Sequence, residues 1–262
     1  MRKLIRFSPT AASPRWRSKA NLETLIEKQF YVLFYFKCYP TFDLAGILFD
    51  SDRSQAHRWL HRLQPILEAP LGREMVLPER QITSIATFLE RFPEVDRVII
   101  DGVLRPIQRP QDKARQQRTY TEKKKRHTRK HLGMSNQDNR ILLLSPIKDG
   151  AHHDKSMLDN SVIIEHIPID IPIHVDLGFK GLEEEYENIE IPHKKPRGGE
   201  LTPGQKEENR MLSRERVVVE HAFGGIKRYR AAAEIYRNRK KNFNDRLMGT
   251  AAGLWNFYRE AA

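Results

Sequence analysis

The chain has 262 residues, of which 39% are hydrophobic and 31% charged, and it carries a net charge of +12. That length holds one large domain or two smaller ones with their own cores, and the basic balance favours a polyanionic partner. One cysteine, Cys38, excludes an intramolecular disulfide and a cysteine-rich zinc site, and fits a reducing cytoplasm.

The opening "MRKLIRFSPTAASPRWRSKA" has no apolar run of the length a signal peptide needs. The most apolar stretch, "FYVLFYF" at 30–36, is too short to cross a bilayer. No membrane partner is expected.

The first hundred residues read as helical. From Asn21 an apolar period (Leu22, Leu25, Ile26, Phe30, Leu33) predicts a helix that runs to Tyr39 and is ended by Pro40. Thr41 can cap a short helix carrying Leu44, Ile47 and Leu48. After the turn "DSD", Ser51 or Asp52 can cap a second helix with Ala56, Trp59, Leu60, Leu63 and Leu67 inward. Two helices joined by a tight polar turn over about 41–68, the second exposing Gln55, His57, Arg58 and Arg62, form the pattern of a helix-turn-helix; any helical hairpin shares that spacing. A further helix within "PERQITSIATFLERFPEV" leads to a proline-bounded boundary near 93–96. The expected division is an all-α region over 1–93 and a mixed α/β domain over 94–262.

In the second part, "DRVIIDGV" reads as an apolar strand ending at Asp101. Between Arg105 and His131 there are eleven Lys or Arg against two acids, so nine of the twelve net charges sit there. Such a run is commonly a solvated face. Here Lys125, His127, Arg129 and His131 alternate with Arg126, Thr128, Lys130 and Leu132 before "ILLL", which predicts a hairpin with a cationic face. "IDIPIHVDLGFKGL" alternates as a strand, ends at Asp176 and turns at Gly178 and Gly181. "IEIPHKKPRGGELTPGQ" reads as a short strand and a loop, "KEENRMLSRERVVVEHAFGGIKRY" as a helix. A last amphipathic helix carries Phe243, Leu247, Leu254 and Phe257.

Three acids stand where ionisation is costly. Asp101 follows Val98, Ile99 and Ile100, and an unpaired carboxylate in such a place costs on the order of several kcal/mol. Asp176 ends a second apolar strand, and strand ends of α/β sheets collect ligands. Glu220 borders the face formed by Leu212, Val219, Phe223 and Ile226, near Arg216 and Lys227. Taken singly, each acid is better explained by a salt bridge. Together, three oxygen donors without cysteine or a histidine cluster suit a hard cation such as Mg²⁺, and two ions would serve phosphoryl transfer. Lys123, Lys124, Lys125, Arg126, Lys227 and Arg228 are candidates for phosphate contacts. Gln55, His57, Arg58 and Arg62 are candidates for base reading in the major groove, or simply a solvent-facing helix. Gly224 and Gly225 would let the helix bend or a backbone approach.

The motifs "DGVLRPIQRPQD", "YTEKKKRHTRKHLG", "HDKS", "VDLGFKGL", "IPHKKPRGGELTPGQKEENRMLSRERVVVEHAFGGIKRYR" and "YRNR" follow one another in the order of the DDE transposases of prokaryotic insertion sequences. The group resembled is the family numbered five, related to PIF/Harbinger elements. "YPTFDLAGILFDSDRSQAHRWL" resembles its helix-turn-helix, and the likeness spans roughly 20–258. It implies an RNase H-like nuclease domain, maps the catalytic and metal-holding acids onto Asp101, Asp176 and Glu220, and leaves no room for a large inserted domain. It further implies two Mg²⁺ ions, with Mn²⁺ as a substitute. The implied partners are the double-stranded DNA of terminal inverted repeats and target, with a homo-oligomer when two ends are synapsed. The place of work would be the cytoplasm, at the nucleoid. An inactive DNA-binding relative and a general RNase H-like nuclease are the alternatives. Asp154 in "HHDKS" fits a helix N-cap better than a fourth ligand.

Overall fold

The computed structural model describes residues 22–261, apart from the side chains of Val218 and Val219. Residues 1–21, including the expected helix start at Asn21, and residue 262 lie outside the described residues. In chain order, α1 (Leu25–Cys38), α2 (Phe42–Leu48), α3 (Arg53–Arg73) and α4 (Ile85–Arg91) precede β1 (Val98–Pro106). Then come α5 (Lys113–Thr119), β2 (Tyr120–Thr121), β3 (Arg126–Asn136), β4 (Ile141–Leu144), β5 (Lys148–Asp149) and α6 (Asp154–Asp159). The chain closes with β6 (Ile173–His174), β7 (Ile189–Glu190), α7 (Pro203–Lys227), α8 (Arg230–Ala233) and α9 (Phe243–Ala261). Among the described residues two compact units result: 22–77 with Ile226–Glu234 and 246–261, and Pro78–Gly225 with Ile235–Asp245. The boundary expected near 93–96 falls inside the second unit, because Phe88 and Phe92 are buried in that unit's core.

In the first unit α1 starts later than expected, at Leu25, on a capping box in which Thr24 accepts from the Glu27 amide, whereas the caps of α2 and α3 are the expected ones. Thr41 accepts from the Leu44 amide and Asp52 from the Gln55 amide, so α2 and α3 each start on a satisfied donor. Between them Gly46 lets the turn close, since a Cβ there would stand 2.6 Å from the Ser51 carbonyl oxygen. Ala56, Trp59, Leu60, Leu63 and Leu67 are all buried, and α3 runs through Pro65 and Pro70 past the expected end near 68. Beyond that point Pro70 and Leu71 are still buried, and Glu68 accepts from Arg246 and Thr250 of α9. α1 differs from expectation. Leu25, Ile26 and Phe30 are exposed, and the buried row is Tyr31, Val32, Tyr35 and Phe36. Tyr31 decides this: its hydroxyl donates to the Ala56 carbonyl at 2.6 Å, and its ring packs edge-on against Phe49 and Trp59.

The second unit is a mixed sheet in the order β2-β3-β1-β6-β7, with β4 and β5 also pairing with β3. β1 runs antiparallel to β3 and parallel to β6, which runs parallel to β7. That order, with an antiparallel neighbour on one side of the central strand and parallel ones on the other, is the RNase H-like arrangement. Residues paired in register share a face. Val98, Ile100, Leu132, Met134, Ile173 and Ile189 therefore line one face and join Phe88, Met157, Leu158, Ile164 and Phe179 in the core. The opposite face carries Ile99, Asp101, Gly133, His174 and Glu190. α7 begins at a capping box: Thr202 Oγ1 accepts from the Gln205 amide, Gln205 Oε1 from the Thr202 amide, and Pro203 takes the first helical position.

Candidate active site and nucleic-acid interface

Asp101 is the fourth residue of a nine-residue strand, not its end as the sequence predicts. The reason lies in the ladder. On one side β1 stays paired with β3 as far as Pro106, while on the other β6 pairs only as far as His174 opposite Ile99. Asp101 thus stands where the parallel ladder splits, and the gap between diverging strands is where a side chain of β1 meets the loop after β6. Asp176 lies in that loop and caps a 3-10 turn over Leu177–Phe179, its Oδ1 accepting from the Gly178 amide at 2.7 Å. Asp101 Oδ1 accepts from the Gly102 amide at 2.7 Å.

Burial pushes the Asp101 carboxyl above its ordinary value. The Gly102 amide acts against the rise, the charges of Asp176 and Asp154 add to it, and Arg216 offsets part of it. Arg216 Nη2 stands 3.9 Å from Asp176 Oδ2, close enough for charge and too far for a hydrogen bond. Carboxylates crowded into a half-buried place with so little compensation form an oxygen-only donor set that fits a hard divalent cation.

The structure brings Asp101 and Asp176 together. Glu220 is exposed on α7, and no hydrogen bond or ion pair ties it to either aspartate. Its helix nevertheless crosses the site. One turn before Glu220, Arg216 faces Asp176; one turn after it, the Phe223 ring fills the place a side chain on Gly133 would take, 2.6 Å from an ideal Cβ. Gly133 is the partner of Asp101 in the sheet, so residues on both sides of Glu220 along one helical face touch the acid site.

Asp154 is the first residue of α6 and His153 the N-cap, so Asp154 is not the cap that the sequence predicts. Its Oδ1 pairs instead with the Lys130 ammonium at 2.8 Å, and Lys130 also donates to the His152 carbonyl at 2.7 Å. Gly102 leaves room for this: a Cβ there would lie 2.7 Å from Asp154 Oδ1. A carboxylate beside Gly102 raises Asp101, and so Asp154 belongs to the site's electrostatics.

Against known families, residues 100–256 match the model described as DDE superfamily endonuclease. The chain belongs to this family. Residues 20–72 match the helix-turn-helix of DDE superfamily endonuclease. A relative from Microchaete diplosiphon, described as a probable transposase for insertion sequence element IS702, is 28% identical over 235 residues, covering 89% of this chain and 80% of its own. No solved structure matches the chain. Among the described residues of this DDE endonuclease, no helix is long and apolar enough to cross a membrane.

The helix-turn-helix assigns its predicted readers unequally. Arg58 and Arg62 are exposed on α3, and Arg58 donates from Nε and Nη2 to Gln55 Oε1, which orients both side chains. His57 is half-buried, edge-on to Phe42 at 5.0 Å and against His61 at 4.4 Å, so it is part of the packing of α2 on α3. In the DDE domain Lys123, Lys124, Lys125 and Arg126 are exposed around a 3-10 turn, Lys125 in the left-handed conformation (φ 48°). The cationic face is narrower than the alternation predicts, because Arg105, Lys130 and His131 are buried. Lys227 and Arg228 are exposed at the end of α7, with Arg228 over the Tyr258 ring at 5.2 Å. The paired glycines neither end nor interrupt α7, and a Cβ on Gly224 would meet open space.

Sequence reading missed two features. Lys130 was one cation in a row, and only its inward turn shows it as the counter-charge of Asp154. A mixed histidine–carboxylate group was not expected, yet His174, Glu190 and Glu215 offer ligand atoms that all lie within 4.8 Å of one another. The one available signal was the alternation that puts His174 two residues before Asp176.

Proposed function

We propose that this chain is an insertion-sequence transposase that cuts double-stranded DNA at the element's ends and joins the freed 3′-hydroxyl to target DNA. The meeting of Asp101 and Asp176 under α7, in a member of the DDE superfamily endonucleases, is the observation that supports it. Asp101, Asp176 and Glu220 would hold two Mg²⁺ ions, for which Mn²⁺ can substitute. When bound, such ions activate the attacking oxygen and stabilise the leaving one. The raised Asp101 carboxyl is the group most in need of a cation, and Asp176 shares its field. Lys130 holds Asp154 in an ion pair and so keeps that carboxylate from competing as a ligand. Nicking and joining are both in-line displacements at phosphorus, so one set of carboxylates serves both.

The exposed Lys123, Lys124, Lys125, Arg126, Lys227 and Arg228 would position phosphates, and Gln55, Arg58 and Arg62, with His57 in support, would read the terminal inverted repeats. Two ends brought together imply a homo-oligomer on DNA, working at the nucleoid in the cytoplasm.

The test incubates the protein with Mg²⁺ and DNA carrying the native element ends. A transposase gives end-specific nicks and strand joining. Cuts at arbitrary places would make it a general nuclease, and mobility shifts without cuts a DNA-binding relative; either result removes the proposal. Glu220→Gln should abolish cleavage and leave end binding nearly intact. Arg58→Ala should weaken end binding and leave metal affinity unchanged. Binding should weaken with salt at a log–log slope of about −0.9 per neutralised phosphate.

A further inference from the structure

We propose that His174, Glu190 and Glu215 form a second metal site, separate from the three catalytic acids, for a divalent transition-metal ion that takes imidazole nitrogen, with Zn²⁺ the best match. His174 and Glu190 are register partners on the parallel strands β6 and β7, so their side chains leave the sheet on the same face. α7 brings Glu215 to that face. Nε2 of His174 lies 2.5 Å from Glu190 Oε2, and Nδ1 lies 3.0 Å from Glu215 Oε2.

The ring itself points to a ligand. His174 is 1% exposed, and neither of its nitrogens makes a hydrogen bond of normal geometry despite those short approaches. A neutral imidazole has one N–H and one bare lone pair. With a carboxylate oxygen at each nitrogen, the neutral ring would turn its lone pair on one of them, a repulsion relieved by a cation: either a proton, giving imidazolium between the two carboxylates, or a metal ion taken up as Nε2 and Glu190 Oε2 spread beyond their 2.5 Å. Arg97 does not supply it: its Nη1 pairs with Glu215 Oε1 at 2.6 Å, on the carboxylate's other oxygen. That pairing fits Glu215 for orienting the ring through Nδ1–H while Nε2 and Glu190 face the metal, the carboxylate–histidine–metal relay common at such sites.

The surroundings are open and polar. Glu190 and Glu215 line a cavity of about 720 Å³ that also holds His193 and Glu208, themselves 2.5 Å apart. There is room for waters in the open coordination positions and a second imidazole nearby. One nitrogen with carboxylate oxygens suits Zn²⁺, Mn²⁺ or Co²⁺, whereas Mg²⁺ prefers oxygen alone. Bound metal would tie β6 to β7 directly, and to α7 through the ring's Nδ1–H and Glu215. The next residue is Arg216, which faces Asp176, so occupancy would fix the part of α7 that reaches the catalytic acids.

The experiment measures metal, not cleavage, on the full chain carrying Asp101→Asn and Glu220→Gln, which removes two of the three catalytic acids. Its outcome is therefore independent of whether the chain transposes. Equilibrium dialysis against Zn²⁺ should load about one ion per chain, and a large excess of Mg²⁺ should not displace it. Adding Glu190→Gln, a change at a half-exposed position, should weaken Zn²⁺ binding at least about tenfold with an unchanged circular-dichroism spectrum. His174→Gln should abolish it. A chain that stays metal-free at saturating Zn²⁺, or one whose Zn²⁺ survives both substitutions, overturns the proposal. Loading with Co²⁺ gives a second readout: visible bands that report nitrogen and oxygen donors should vanish with His174→Gln, and their persistence counts against the site.

Discussion

On one face of the sheet in the second unit, Val98, Ile100, Leu132, Met134, Ile173 and Ile189 are buried in a continuous apolar core. On the other face the same four strands present Asp101, Gly133, His131, His174 and Glu190. Adjacent residues of β1 thus serve opposite purposes: Ile100 anchors the sheet and Asp101 bears the charge. The comparison teaches how a carboxylate comes to be held where its charge is disfavoured. The free energy that fixes β1 comes from the apolar face, on the order of 2 kcal/mol for each buried Ile or Leu side chain, and the other face is then free to carry groups that a strand would not otherwise keep.

The sharpest break in that division is functional. Asp101→Asn should reduce strand cleavage to background in the Mg²⁺ assay, while Ile100→Ala, one residue away, should leave detectable cleavage wherever the protein remains folded. The stability ranking should reverse. Ile100→Ala removes a side chain that is 2% exposed and should cost about 2–5 kcal/mol in denaturant unfolding. If both substitutions prove equally destabilising, the faces are not divided as described.

A third comparison uses pH. His131 lies on the acid-bearing side of β3 opposite Val103, its Nδ1 2.8 Å from the Ser145 carbonyl oxygen, and burial depresses its pKa to about 4. Asp245 opposes that shift, while Arg80 and Arg105 reinforce it. Between about 4 and the ordinary 6.5 the unfolded chain binds a proton that the folded one refuses. Stability from this group is therefore present above pH 6.5 and lost as pH falls toward 4, by roughly 1–3 kcal/mol. Thermal melts from pH 7.5 to 5 should show the loss, and His131→Gln should flatten it; an equal slope in both proteins would contradict the assignment.

Asp101 has the opposite sense. Its pKa is raised from 3.8, so the folded state is favoured below that value and loses ground as pH rises through the raised pKa. Without divalent metal, Asp101→Asn should therefore be more stable than the parent at pH 7, and the advantage should disappear in acid. Gly133→Ala probes the packing that carries α7 over the acid-bearing face. The added methyl meets the Phe223 ring, and a shift of α7 should lower cleavage more than it lowers the melting temperature.

Much of this was legible in the chain itself. Thr41 and Asp52 cap the helices they were expected to cap, because capping depends on residues within one turn. The inward row of α3 follows from its period, and the ordered motifs indicated the family. The aromatic row of α1 was not legible. Ile26 and Phe30 keep the period as well as Tyr31 and Tyr35 do, and the choice rests on the Ala56 carbonyl and the rings of Phe49 and Trp59 on other elements.

The sequence by itself determined the strands' alternation, the helix starts and the candidate acids, since each is set by neighbours along the chain. Tertiary structure alone decided where β6 leaves β1, which cations turn inward to Asp154, and that His174 meets Glu190 and Glu215. Those outcomes depend on which surfaces meet across long loops, and residues far apart in the chain carry no periodic signal of one another.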